Sequence, residues 1–174
     1  MKKILILFLL LIAINAQGQG LPVAANSTLA SLFPDENLRV SVAGLLEADA
    51  NLIGQALSDA LAGIEVLEAS NRCISNADGI EYLIGLIKLE LGFNQIRSIN
   101  VSNLINLRRL DLTANSLTTL DVSKNTNLIH LFIEANSLTT LDLSKNASLT
   151  YISIFRAGLT REDIIGHADL NILH

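Results

Sequence analysis

The sequence predicts an α/β solenoid, a short arc of about five coils with a parallel sheet on its concave face and a small helical cap at its N-terminal end. Three observations carry this reading. Leu86, Leu107, Leu128 and Leu149 stand 21 residues apart, as do Leu89, Leu110, Leu131 and Ile152, and Leu91, Leu112, Ile133 and Ile154. Asn94, Asn115 and Asn136 fill a further column at the same spacing, which Ala157 breaks. Residues alternate around the second and third apolar columns, so those two columns point to one face of a short strand and their neighbours to the other.

Each copy thus reads L-x-x-L-x-L-x-x-N-x-L, the pattern of a leucine-rich repeat. One such strand cannot bury its apolar face alone, but stacked copies bury a continuous core. Where the backbone turns away from the strand, buried peptide groups need partners. An Asn side chain carries both donor and acceptor, so Asn94, Asn115 and Asn136 are expected to form a structural ladder between coils. A finer period lies inside the 21: LTTLDVSKNTN from Leu117 returns as LTTLDLSKNAS from Leu138. Thr, Val and Ser are poor helix formers, so the convex side is expected to run as short extended pieces. In these phrases the chain resembles the nested, 21-residue subclass of bacterial leucine-rich repeat proteins, from about Ile64 to Leu159.

The chain opens with a targeting segment, residues 1–16. Lys2 and Lys3 give a positive start, Ile4 to Ile14 is an apolar run of signal-peptide length, and Ile14-Asn15-Ala16 offers a cleavage site before Gln17. A membrane anchor needs about 20 apolar residues, so no membrane span is expected in the mature chain. No Cys follows the run as a lipid-attachment site. The expected location is secreted or at the cell surface. Of 12 basic residues, the two lysines leave with this segment, and 10 remain against 17 acids, a net of −7. That sign argues against nucleic acid and anionic membrane surfaces as partners. The lone Cys73 cannot form an internal disulfide, and a buried or semi-buried spectator thiol is expected.

Residues 17–31, small and polar with Gly18, Gly20 and Pro22, read as a flexible leader. In Phe33-Pro34-Asp35-Glu36-Asn37-Leu38-Arg39, Pro34 and the acids fit the first turn of a helix, with Leu38, Val42, Leu45 and Leu46 on one side. The phrase resembles the F-P-D-x-N-F-R opening of internalin-like secreted bacterial proteins. That resemblance implies that residues 32–62 form a helical cap over the first coil, whose apolar end and strand edge need cover. Such caps often carry a D-x-N-x-D-G calcium loop. Asp49, Asn51 and Gly54 fit it, but Ile53 and Ala60 replace two ligands, so no metal is expected.

The repeats are expected over residues 63–159. Ile64, Leu67 and Ala69 lie 22 residues before Leu86, Leu89 and Leu91, which makes Val66 to Ser70 a degenerate first strand with Arg72 in the Asn column. Asp78-Gly79-Ile80-Glu81-Tyr82-Leu83 resembles the D-G-I-E-Y-F linker of the internalin-like group. Residues 160–174 read either as a C-terminal helical cap, opening at Thr160-Arg161-Glu162-Asp163, or as the truncated end of a longer chain.

Nothing in the sequence assembles catalytic chemistry. His130 alone of three histidines lies on a repeat strand, Ser123 and Ser144 recur as turn formers, and no phosphate loop or cofactor motif is present. The chain is therefore read as a non-enzyme without cofactor. The informative positions are the outward ones of each strand: Lys88, Arg109, His130 and Tyr151; Glu90, Asp111, Phe132 and Ser153; and Glu134 with Phe155 in the third column. Outward Phe132 and Phe155 break the preference for polar residues there, and exposed aromatics on a rigid scaffold serve as binding anchors. The bland alternative is that they stack on one another. The functional expectation is a module that binds a protein or surface glycan through its concave face, possibly for adhesion; the alternative is a spacer with no specific ligand.

Overall fold

The computed structural model describes Ala24 and residues 27–46, 52–166 and 172–173. The signal segment and the Asp49–Asn51 part of the calcium-loop comparison lie outside these residues. The cap comprises α1 (Leu29–Leu32), α2 (Glu36–Ala43) and α3 (Gly54–Ala62). A capping box closes α1: the Ser31 hydroxyl accepts from the Thr28 N–H at 2.9 Å, and the Thr28 hydroxyl accepts from the Ser31 N–H at 3.3 Å. α1 begins within the stretch read as a leader and ends at Leu32, the first residue of the expected cap. Helix α2 starts later than the sequence suggested. Pro34 precedes the N-cap instead of occupying the first turn, because the Asp35 side chain takes the cap and accepts from the Asn37 and Leu38 N–H groups. Leu38 and Val42 are buried as expected, Leu46 packs partly, and Leu45 remains exposed.

Eight short strands follow: β1 (Val66–Glu68), β2 (Lys88–Glu90), β3 (Arg109–Asp111), β4 (His130–Phe132), β5 (Leu141–Asp142), β6 (Tyr151–Ser153), β7 (Ile164–Ile165) and β8 (Ile172–Leu173). Six form one parallel sheet in the order β1-β2-β3-β4-β6-β8, and β5 pairs with β7 in a second. The registers keep the sequence columns. Leu67 faces Leu89, then Leu110, Leu131 and Ile152, and all five are buried. This is the solenoid of about five coils that the 21-residue spacing predicts. Between Val66 and Leu159 the convex side forms no α-helix, but it is less extended than expected: beside the 3-10 turn Ile80–Tyr82 and the strand β5 it runs through successive turns, such as those closed by the Asn125 N–H on Val122 and the Leu128 N–H on Asn125.

The cap seats on the first coil at Gly79. Its φ is +100°, and a Cβ there would stand 2.4 Å from the Leu32 carbonyl oxygen and 2.6 Å from the Phe33 ring. Only glycine allows both the backbone conformation and that approach.

Two Asn ladders run through the coils. Asn94, Asn115 and Asn136 each donate to carbonyls of their own coil and of the preceding one: Asn115 to Leu91 and Leu112, Asn136 to Leu112 and Ile133. Their carboxamide oxygens accept from the N–H groups of Ile74, Ile96 and Leu117 in the coil before. The second ladder belongs to the half-repeat. Asn125 donates to Val101 and Leu104 at 2.9 and 2.8 Å, and Asn146 to Val122 and Asn125, both at 2.9 Å. Asn125 and Asn146 are fully buried, whereas Asn115 is partly exposed.

Two expectations are corrected. Thr160 and Asp163 do form a capping box, but the helix is a single 3-10 turn (Arg161–Asp163). Ile164 and Ile165 pair with β5 instead, since a strand there continues the stack of the preceding coil. Cys73 is exposed: it sits in a loop with φ of 57°, its side chain directed away from the core.

Candidate functional site

The concave face is the broadest surface on which the repeat gathers chemically distinct side chains. In β2, β3, β4 and β6 the central residue is buried and its two neighbours are half-buried on the outward side, except that Ser153 is buried. The strand registers therefore bring Lys88, Arg109, His130 and Tyr151 into one row, and Glu90, Asp111, Phe132 and Ser153 into the next.

The face divides into two halves. Toward the N-terminal end the charges are closed on one another. The Lys88 ammonium lies 2.6 Å from Glu68 and 3.0 Å from Glu90, and Glu90 also accepts from Arg109 Nε at 3.0 Å. The hydrogen bonds that Lys88 donates to Glu68 and Glu90 raise its pKa. Burial alone would raise that of Glu90, but the Lys88 and Arg109 hydrogen bonds outweigh it and hold the carboxyl below its ordinary range.

Toward the C-terminal end the face is aromatic. The Arg109 guanidinium carbon stands 4.2 Å from the centroid of the Phe132 ring. Phe132 and Tyr151 are 5.1 Å apart and tilted by 39°, and His130 lies 6.1 Å from Tyr151. The stacking alternative thus describes part of the aromatic set. Phe132 stacks within the face and is half-buried, whereas Phe155 is 51% exposed, with the Arg156 guanidinium carbon 5.1 Å from its centroid. Ser153 is buried and donates its hydroxyl proton to Glu134, so its contribution is to orient that carboxylate. Asp111 turns one oxygen to the Thr113 N–H. The Arg109 bridge between Glu90 and Phe132 was not read from the sequence. The register alone places Arg109 two positions from both, within reach of a long side chain.

Elsewhere, Asp121 and Asp142 on the convex side accept from the N–H groups of Ser123 and Ser144, which lowers both carboxyl pKa values and marks them as turn residues. An open groove of about 490 Å³ runs beside the strand starts, with Glu65 and Arg108 on its walls. Among the described residues no group of three or more His, Cys, Asp or Glu side chains is placed to hold a metal, and no helix is long and apolar enough to cross a membrane.

Comparison with known proteins agrees with this geometry. No family profile matches the chain, and no curated protein matches it. Among solved structures it is similar to the functional domain of InlJ from Listeria monocytogenes, which includes a cysteine ladder. The identity is 36% and the TM-score 0.69, over 76% of this chain and 30% of that one. It is similar in fold to the internalin InlF of Listeria monocytogenes, at 24% identity and a TM-score of 0.64, over 78% of this chain and 46% of that one. It is also similar to internalin C2 of the same species, at 26% identity and a TM-score of 0.59, over 77% of this chain and 70% of that one. The chain thus spans about a third to a half of the first two relatives. Fold and columns together define a leucine-rich repeat solenoid. More particularly, the chain is an internalin-like leucine-rich repeat protein. Its ladders are built of asparagine, and its single cysteine, Cys73, lies outside them.

Proposed function

We propose that this chain is an exported module that binds a protein through its concave face. The observation that carries the reading is the half-open Phe132–Tyr151 ring pair on β4 and β6, with Phe155 exposed in the turn that follows β6. Arg109, His130 and Glu134 rim it with polar groups, Asp111 adds a further carboxylate, Glu90 with Lys88 holds Arg109 in position, and Ser153 holds Glu134. Export rests on the Lys2-Lys3 start and apolar run of residues 1–16. The alternative is a spacer. It draws on the Glu68–Lys88–Glu90–Arg109 network, whose charges are satisfied without a ligand.

The test is capture of partners by the protein and by a Phe132→Ala/Phe155→Ala double variant. Partners retained by the first and lost by the second support the binding module. Equal retention by both removes the concave-face assignment, and retention by neither favours the spacer.

A further inference from the structure

This inference rests on the concave-face reading and gives its partner a chemistry. Arg109 spans three strands: it grows from β3, its Nε donates to Glu90 on β2 at 3.0 Å, and its guanidinium lies on the Phe132 ring of β4. Nε and one face of the plane are thereby engaged. The two Nη groups meet no acceptor among the described residues, and the side chain is 35% exposed. A guanidinium held flat with its Nη groups free is a bidentate carboxylate receptor whose ordering cost is already met by the fold. The neighbouring cation does not compete, since Lys88 is closed between Glu68 and Glu90.

We propose that Arg109 and the Phe132–Tyr151 pair together receive a protein segment that carries a carboxylate next to an apolar side chain. The segment lies extended across the strands. In an extended chain, alternate side chains on one face stand about 6.5 Å apart. Because the guanidinium lies over the Phe132 ring, the next ring along the face is Tyr151, whose centroid is 5.1 Å from that of Phe132 and so within about one such step. A Glu or Asp over Arg109 thus sets an aromatic or aliphatic residue two positions later on the ring pair. A sulfated or phosphorylated polyanion fits less well. Asp111 and Glu134 share the face, each with only one oxygen turned to a protein donor, and would repel extended negative charge.

The experiment selects a phage-displayed library of random linear peptides on the full chain and on Arg109→Gln and Arg109→Lys variants. Two synthetic peptides derived from the consensus, one with its acid changed to the amide, are then titrated. The expected result is enrichment of Asp or Glu two residues before an apolar side chain, with the acidic peptide bound at least tenfold more tightly than its amide. Both variants should lose that preference, Arg109→Lys with the melting temperature of the parent, because it keeps the charge and loses the planar fork. A selected consensus without an acid, or a preference that survives in the variants, overturns the proposal while leaving a concave-face site intact. So does a library that yields no consensus while a heparin hexasaccharide binds. Failure of the broader reading is judged separately, by the partner capture with the Phe132→Ala/Phe155→Ala variant.

Discussion

Asp35 and Ser75, 40 residues apart, are joined by two hydrogen bonds: the Asp35 carboxylate accepts from the Ser75 N–H at 2.8 Å and from its hydroxyl at 3.2 Å. The same Oδ2 accepts from the Asn76 N–H at 3.1 Å, while Oδ1 caps helix α2. One carboxylate thus starts the cap helix and fastens it to the first coil. Asp35→Ala should cost about 2 kcal/mol, from a lost N-cap and lost bonds to a charged acceptor. Urea unfolding at pH 7 measures it. A midpoint equal to that of the parent would remove the docking role.

The same site makes stability acid-sensitive. Burial alone would raise the Asp35 pKa, but the hydrogen bonds from Ser75, Leu38 and Asn76 bring it below the ordinary 3.8, and Glu90 lies below its own ordinary value through Lys88 and Arg109. A folded pKa below the unfolded one gives stability that is present above the unfolded pKa and lost as pH falls through the folded one. Unfolding midpoints should therefore change little on this account between pH 7 and about 5, then fall below about pH 4. Asp35→Asn should flatten part of that fall. An unchanged acid limb in the variant would assign the effect to other carboxylates.

The two ladders predict comparable losses on mutation. If the second half-repeat lay nearer solvent, its asparagines would matter less than Asn115, but Asn125 is the more deeply buried of the two. Asn125→Ala removes one of two bonds at the fully buried Val101 and Leu104 carbonyls, which keep the Leu104 and Leu107 N–H groups. Asn115→Ala strands the Ile96 N–H and takes one bond each from the Leu91, Leu112 and Thr113 carbonyls, which keep Asn94, Asn136 and the Phe93 N–H. Each should cost about 1–3 kcal/mol, and chemical denaturation should show the two within about 1 kcal/mol of each other. A much smaller loss at Asn125 would show that water replaces its bonds.

What the sequence made legible follows from what repeats. Leu89, Leu110 and Leu131 recur, so strand, face and register could be read directly, and the central buried row matches. Features outside the period were harder. Asp35 binds Ser75 across 40 residues with no spacing to announce it. Ile164–Ile165 joins β5 because a neighbouring coil offers a strand edge, which local helix signals cannot reveal. On the concave face the columns identified which residues meet, but the lean of Arg109 onto Phe132 depends on side-chain torsions that a column does not encode.

A backbone position also repeats. Asn71, Phe93, Ala114, Ala135 and Arg156 all have φ between 50° and 57°, the left-handed region, just before the first ladder position. Asn tolerates that conformation and the first coil uses it, whereas the others carry strain. Ala135 is exposed, so a larger side chain has room. Ala135→Asn should stabilise the protein by about 0.5–1 kcal/mol, and Ala135→Val should destabilise it by at least as much. Thermal melts of the pair decide it. A shift of the same sign for both would mean that side-chain packing, not φ, governs the site.

Phe132 and Phe155 separate structural from binding roles. Phe132 pairs with Tyr151 at 5.1 Å and supports Arg109 at 4.2 Å, so Phe132→Ala should lower stability by about 1–2 kcal/mol through lost ring and cation contacts. Phe155 is 51% exposed and its ring meets the Arg156 guanidinium, so Phe155→Ala should stay within about 0.5 kcal/mol of the parent. Toward a captured partner, truncating either anchor should weaken binding by roughly 10- to 30-fold, since loss of a buried aromatic anchor commonly costs about 2 kcal/mol. Phe155→Ala is the cleaner probe, because its fold is expected to be intact. Melting temperature and affinity measured on the same preparation distinguish the cases. Unchanged melting with lost affinity places Phe155 in the contact. Unchanged affinity together with unchanged melting would take it out of the site and leave the Arg109–Phe132–Tyr151 stack as the whole of the candidate surface.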